Sequence, residues 1–280
     1  MQSVMNMHKI NISFLILVLT LAGCQNMYKC VSTGDLKRVK VVLESEPDVE
    51  RRKKCAWRLL NSASGRGHIE VVRYLVKNEL NVSWSGGQGT PALFTATRQG
   101  HPEVVKLLLA KGVDVNWCLG WKSKKTPLYV AIEMSQKQVA KVLLENGADV
   151  DMKCQGGESP LSRALRDGKI EIAEMLLSYG ADINDKNNGR GTALHVAVVL
   201  DRPEIIKYLL SKGADVNAEV GLGVRPLHTA AWCDRLEVAR ILLANGADPM
   251  ARCDGRTAFE IARSDKFRNL LQQKESTQKQ

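Results

Sequence analysis

A repeat of about 33 residues is the sequence feature that most restricts how this chain can fold. It is marked by five glycines that lie 35, 33, 33 and 33 residues apart, namely Gly112, Gly147, Gly180, Gly213 and Gly246. Each glycine opens a similar phrase, and these read GVDVN, GADVD, GADIN, GADVN and GADPM. A period of this length is typical of a stack of small units that bury their apolar faces against one another. An aromatic content of only 5% suits such thin layers better than one large core.

A second phrase precedes each glycine by 21 residues and predicts the first of two short helices. It reads PALFTA from Pro91, TPLYVA from Thr126, SPLSRA from Ser159, TALHVA from Thr192 and RPLHTA from Arg225. Thr or Ser before Pro favours a capped helix start, and the small Ala lets neighbouring helices approach closely. An apolar pattern such as EIIKYLL follows and predicts a second helix with one buried side. The glycine closes that helix, and Asp and Asn begin the loop to the next unit.

Spacing and residue types together resemble the ankyrin repeat, and weaker copies extend it in both directions. Gly67 and Gly34 mark two earlier repeats, and Thr257 begins a shortened last one. The resemblance implies an all-α repeat solenoid, built from stacked helix-turn-helix repeats with β-hairpin loops. It implies about seven to eight repeats over residues 24–272, followed by a frayed polar tail at 273–280.

The first 24 residues belong to a different class of segment. Residues 10–21 form a mostly apolar run, which is too short to span a bilayer of about 30 Å and fits the hydrophobic part of an export signal. The run ends in Leu21-Ala22-Gly23-Cys24, which resembles the lipobox of bacterial lipoproteins. This resemblance implies that residues 1–23 are a cleaved signal peptide and that the Cys24 thiol is acylated. The alternative is an export signal that ends near a cysteine by chance.

The residue after Cys24 indicates where such a lipoprotein would stay. In lipoproteins of enteric bacteria an Asp at this position retains the protein in the inner membrane, whereas this chain has Gln25. The resemblance therefore favours a lipid anchor in the outer membrane, facing the periplasm. Export separates the chain from nucleic acid, so we do not expect nucleic-acid binding despite the net charge of +10.

A basic run, Arg51-Arg52-Lys53-Lys54, is expected in the loop nearest the lipid anchor. One interpretation is that this membrane-proximal basic loop contacts anionic lipid head groups and orients the stack. The other is that it is a loop exposed to solvent, as most charge runs are. The sequence is compatible with both interpretations and favours the second.

The histidines that could take part in catalysis occupy positions that the repeat itself explains. Four of the five histidines occupy positions that recur with the repeat, and His8 lies in the signal segment. No H-E-x-x-H, G-x-S-x-G or phosphate-binding motif is present. Besides Cys24 there are six cysteines, and none of them forms a C-x-x-C pair, so no zinc site is expected. The sequence does not decide whether these cysteines form disulfides, which the periplasm permits. We therefore predict a protein that is not an enzyme and holds no metal or cofactor.

The resemblance also indicates where a partner would bind. Partners of ankyrin proteins usually dock on the concave side, at the variable positions that follow the small Ala of each first helix. In this sequence those positions include Glu133, Met134, Arg166, Asp167, Val199, Leu200 and Trp232. Trp121 and Lys122 join them from the one loop with two extra residues, beside Lys124 and Lys125. Cations around an aromatic residue suit a partner with an acidic surface patch, although each residue alone could equally serve local packing.

These features predict a lipid-anchored protein that acts by binding another protein and is monomeric when unbound. The combination is similar to immunity lipoproteins of Gram-negative bacteria, which neutralise periplasmic effectors of type VI secretion such as phospholipases. One alternative is a periplasmic scaffold that tethers or protects a resident enzyme, for instance in oxidative-stress defence. Another is a module that acts at the membrane surface through the basic loop.

Overall fold

The computed structural model describes residues 33–78, 90–118, 125–154 and 156–278 of the 280-residue chain. The predicted signal peptide, Cys24, Trp121 and Lys122 therefore lie outside the described residues. The chain forms two compact units, Met1–Leu119 with Glu145–Gly147 and Gly120–Leu144 with Ala148–Gln280. Among the described residues, no helix is long and apolar enough to cross a membrane.

The first unit is built from helices that pair in the way the repeat predicts. They are α1 (Leu36–Glu44), α2 (Val49–Arg66), α3 (Ile69–Asn78), α4 (Thr90–Gln99) and α5 (Pro102–Ala110). Helix α2 packs along α4, and α3 packs against α5. Leu59, Leu75 and Leu93 are fully buried between these helices. The apolar stripes read from the sequence thus form the core of this unit.

The basic run lies in a helix, so the predicted loop is wrong. Residues 51–54 form part of the first turns of α2, which begins after Asp48. The Asp48 carboxylate accepts hydrogen bonds from the backbone N–H groups of Glu50 and Arg51, at 2.9 and 3.1 Å. These bonds, with Arg51 the larger contributor, lower the pKa of Asp48. An N-cap followed by strong helix formers explains why no hairpin forms here.

Three of the four basic side chains have intramolecular partners that compete with a role at a membrane, and the first of these is Arg51, which pairs with Asp48 at 3.8 Å. Arg52 donates from Nε and Nη2 to the carbonyl oxygen of Glu46, at 3.0 and 2.8 Å, and so holds the turn that leads into α2. Lys53 pairs with Glu50 one turn away, at 3.2 Å. This geometry therefore gives little support to a contact between the basic run and lipid head groups.

The second unit repeats one helix pair several times. Its helices are α6 (Pro127–Glu133), α7 (Lys137–Glu145), α8 (Pro160–Arg166), α9 (Ile170–Ser178), α10 (Ala193–Val199), α11 (Pro203–Ser211), α12 (Pro226–Trp232), α13 (Leu236–Ala244), α14 (Ala258–Ile261) and α15 (Asp265–Gln278). The first helices of successive repeats pack on one another, α6 on α8, α8 on α10, α10 on α12 and α12 on α14. The second helices α11, α13 and α15 pack in the same order. This periodic packing is the solenoid that the spacing predicts.

The helix ends explain why Thr or Ser and Gly recur at fixed positions of the repeat. Thr126 and Ser159 cap α6 and α8, because their hydroxyl oxygens accept the N–H groups three residues later. The glycines that follow the second helices have φ between 81° and 89°, a left-handed conformation that costs glycine little. Both expectations from the sequence are confirmed.

The loops and the C-terminal end differ in detail from the prediction. Within the described residues, a two-stranded ladder forms only between β1 (Arg252–Cys253) and β2 (Arg256–Thr257). Residues 220–224 form a short hairpin with one bridge, Val220 to Val224. Helix α15 buries Phe267 fully and continues to Gln278, although a frayed tail was expected from residue 273. The segment has no Gly or Pro to stop the helix there.

Candidate partner-binding surface

The predicted partner positions of the second unit lie at equivalent ends of packed helices. Glu133, Arg166, Val199 and Trp232 are spaced by 33 residues and are the last residues of α6, α8, α10 and α12. Since these helices pack side by side, their last residues share one side of the unit. The register read from the sequence therefore brings these positions together, whereas Trp121 and Lys122 are not described.

At the start of this side a charged network joins Lys125, Tyr129, Glu133, Glu158, Arg163, Arg166, Asp167 and Lys169. Arg163 is its centre. It donates to the Asp167 carboxylate at 2.9 Å and to the Tyr129 hydroxyl at 3.1 Å, and lies 3.6 Å from Glu133. Tyr129 donates in turn to Glu158 at 2.6 Å. Burial, with the bond to Glu158 adding to it, raises the pKa of Tyr129 to about 12, so this hydroxyl remains a donor.

In this network, the charged side chains that are predicted to contact a partner are paired with one another or with neighbours in the same unit. Glu133 pairs with Lys125 at 2.6 Å, and Arg166 pairs with Glu158 at 2.7 Å. Asp167 pairs with Arg163, and the side chains of Arg163 and Asp167 are only about one-fifth exposed. Half-buried, mutually compensated charges fix the geometry of the surface, and a partner must compete with them for each contact. We therefore regard the charged network as a scaffold for the surface and not as its anchor.

The other end of the same side exposes large apolar side chains. Val199 is 51% exposed, Leu200 37% and Trp232 36%. The hairpin at 220–224 lies against Val199 and Leu200, and its tip adds Leu222, which is 73% exposed between two glycines. We call these four residues the apolar edge. Exposed apolar and aromatic residues gathered on one side mark interaction sites far more often than they mark ordinary surface.

Sequence reasoning missed Leu222 because it lies in a loop and follows no repeat position. The available signal was its sequence context, since a large apolar residue between Gly221 and Gly223 has little chance of burial in a short turn. The hairpin is held in place by a hydrogen bond from the Asp254 N–H to the Leu222 carbonyl oxygen, at 3.0 Å. Met134 directly follows α6, at the opposite end of this side, and is also exposed.

Beside the apolar edge lies a pocket of about 410 Å³. Its lining residues are Arg166, Gly189, Arg190, His195, Val196, Val199, Leu200, Val220, Gly221, Val224 and Thr229. The pocket thus lies among the ends of α8 and α10, helix α12 and the two loops at 187–190 and 220–224. Predicted partner positions Arg166, Val199 and Leu200 contribute to its wall.

Two buried histidines connect helices to the loops that follow them, and the first of these loops lines the pocket. His195 accepts the Thr192 N–H at Nδ1 and donates from Nε2 to the Val224 carbonyl oxygen, at 3.2 and 3.3 Å. His228 repeats the arrangement with the Arg225 N–H and the Ala251 carbonyl oxygen, at 3.1 and 3.0 Å. Burial lowers the pKa of His195 to about 4 and also lowers that of His228. Both rings are therefore neutral at pH 7 and act as structural ties, as their repeat positions predict.

Acid should destabilise the fold through His195. Its ordinary pKa of 6.5 applies in the unfolded chain, which therefore binds a proton more readily than the folded chain once the pH falls below 6.5. We expect urea unfolding at pH 4.5 to show about 2–3 kcal/mol less stability from this group than at pH 7. The variant His195→Asn should lose that part of the pH dependence. An unchanged slope in the variant would contradict the assignment.

Trp117 packs locally, and the described cysteines are not cross-linked to one another. The Trp117 ring packs edge-on against Phe94, with the ring centres 6.0 Å apart and the planes at 70°. It therefore belongs to the packing of the first unit. The five described cysteines form no disulfide with one another, and Cys154 and Cys253 are buried.

Comparisons with known proteins agree with this architecture. A family model described as ankyrin repeats (3 copies) matches residues 27–117, 85–154, 117–187, 150–220 and 185–253. A search of curated proteins gives no significant match. Among solved structures, the ankyrin repeat domain of human ASB11 is 29% identical with a TM-score of 0.61, covering 77% of this chain and 96% of its own. That of Bcl-3, a member of the IkappaB family, is 28% identical with a TM-score of 0.67, covering 76% and 97%. The chain belongs to the ankyrin-repeat family, whose domains serve as protein–protein interaction modules.

Proposed function

We propose that this chain is a lipid-anchored protein of the bacterial envelope that binds and neutralises an antibacterial effector in the periplasm. The observation that carries the binding role is the apolar edge, because four large apolar side chains are exposed together in a fold built for interaction. The helices beneath them are packed and capped, so little conformational entropy is lost when a partner binds. Binding, and not catalysis, is the function this geometry supports.

The titratable groups of the second unit support the same conclusion. His195 and His228 each use both ring nitrogens in hydrogen bonds to the main chain. The carboxylates on the side that carries the apolar edge, Glu133, Glu158 and Asp167, are paired with cations. These side chains stabilise the surface.

The lipid anchor is proposed from the segment that ends in Leu21-Ala22-Gly23-Cys24. Cells that produce the tagged chain and are fed labelled palmitate should incorporate the label, and Cys24→Ala should abolish incorporation. Cys30→Ala is the matched control, because it removes a nearby cysteine outside the lipobox pattern and should leave the label in place. Label that survives Cys24→Ala would exclude this anchor.

The neutralising role is proposed from three features that occur together: an export signal, an anchor at the membrane and a preformed binding surface. Recipient cells that lack this chain should be killed by sister cells with active type VI secretion, with survival at least tenfold below that of the parent. Production of the wild-type chain should restore survival, and attackers without secretion should not distinguish the strains. Equal survival of both strains would contradict the neutralising role and favour a scaffold for a resident enzyme.

A further inference from the structure

The pocket beside the apolar edge has a wall that selects for one kind of occupant. Aliphatic side chains are the largest group among its lining residues, namely Val196, Val199, Leu200, Val220 and Val224. Its volume of about 410 Å³ falls in the range of roughly 300–1,000 Å³ that is usual for ligand sites. A pocket of this size and lining can take one apolar side chain together with the adjacent backbone.

The charged residues that line the pocket are positive. Two arginines, Arg166 and Arg190, line it, whereas none of the lining residues is acidic. Arg166 has one contact to Glu158 at 2.7 Å, and its side chain remains about half exposed. Arg190 is exposed and has no ion-pair partner among the described residues. Guanidinium groups bind carboxylates with strong, directional hydrogen bonds, so an anionic group is the complementary ligand.

We propose that this pocket binds a segment of the partner protein in which a large apolar side chain stands next to an Asp or Glu. The apolar side chain enters among the valines, and the carboxylate binds Arg190 with support from Arg166. This inference rests on the proposed function and deepens it, since it names the chemistry by which the partner is recognised. The charged network holds Arg166 in position and leaves Arg190 as the cation available to the partner.

The test uses the full chain, C-terminally tagged, purified as the cell produces it and labelled at its valine and leucine methyl groups. The probes are three short peptides with blocked ends that carry Leu-Glu, Leu-Gln or Ala-Glu at the centre of one Gly-Ser frame. We expect Leu-Glu to shift the methyl signals of Val199, Val220 and Val224. We expect Leu-Gln and Ala-Glu to bind at least fivefold more weakly. Equal binding of Leu-Glu and Leu-Gln, or no shift at the pocket methyls, would overturn the proposal.

A charge reversal makes the test specific to this pocket. Arg190→Glu should weaken Leu-Glu binding at least fivefold and should favour a peptide with Leu-Lys instead. Arg263→Glu is the matched control, because Arg263 is an exposed arginine of the same unit that does not line the pocket. If the partner is captured from cells equally by wild type and Arg190→Glu, the pocket inference fails while the proposed function stands. If the peptide binds as expected but recipient cells need no protection, the proposed function fails.

Discussion

The double variant Val199→Asp/Trp232→Ala should lose at least a hundredfold in affinity for the partner and keep its fold. Both residues lie on the apolar edge, at the ends of α10 and α12, and both are exposed in the unbound chain. Truncating an aromatic anchor costs about 2 kcal/mol or more, and the desolvation of a charged side chain in place of Val199 adds a penalty of similar size. Capture of the partner from cells by the tagged chain measures the loss, and the thermal unfolding midpoint should change by only a few degrees.

Val41→Asp is the control for this variant. Val41 is an exposed valine of the first unit, 64% exposed in α1, and it lies outside the apolar edge. A carboxylate introduced there tests whether any loss comes from added charge or from lower solubility. Unchanged capture by the double variant, or an equal loss with Val41→Asp, would show that the apolar edge is not the binding surface.

Asn187→Ala should destabilise the second unit by about 3 kcal/mol, the largest effect on folding that we expect from a polar residue. The Asn187 side chain accepts the Ser159 N–H at 2.8 Å and donates to the Ser162 hydroxyl and the Gly191 carbonyl oxygen, both at 2.7 Å. It is 4% exposed, so its removal leaves buried polar groups without partners at about 1–3 kcal/mol each. Urea unfolding measures the difference.

Asn188→Ala separates this effect from backbone strain. Asn187 and Asn188 have φ of 47° and 54°, a left-handed conformation that alanine adopts less readily than asparagine. Asn188 is exposed, so its replacement carries the strain without removing a buried hydrogen bond, and should cost about 1 kcal/mol. Equal losses in the two variants would contradict the role given to the Asn187 side chain.

Much of the fold could be predicted because the ends of each helix are determined by residues that are close in sequence. Thr126 and Ser159 cap helices through bonds to residues three positions away, and Gly180 ends one through its own backbone freedom. Such signals involve only residues that are near one another in sequence, so they can be recognised before the fold is known. The basic run at 51–54 was misplaced because the hairpin expected there gives way to a helix capped by Asp48.

The candidate surface could be predicted only in part, because pairing between side chains depends on neighbours in space. The 33-residue register placed Arg166, Val199 and Trp232 on one side. It did not reveal that Lys125, expected to face an acidic partner, pairs with Glu133 within the unit. Nor did it reveal the pocket, whose walls come from two loops and three helices that only the fold brings together.

Affinity capture from the native organism tests the central claim most directly. The C-terminally tagged full chain is recovered beside the Val199→Asp/Trp232→Ala variant, and the bound proteins are identified by mass spectrometry. We predict that wild type recovers one secreted effector, such as a lipase, in an amount equal to itself, and that the variant does not. Recovery of a resident envelope enzyme, or of no protein enriched over the variant, would contradict the claim that this chain is an effector-neutralising binding protein.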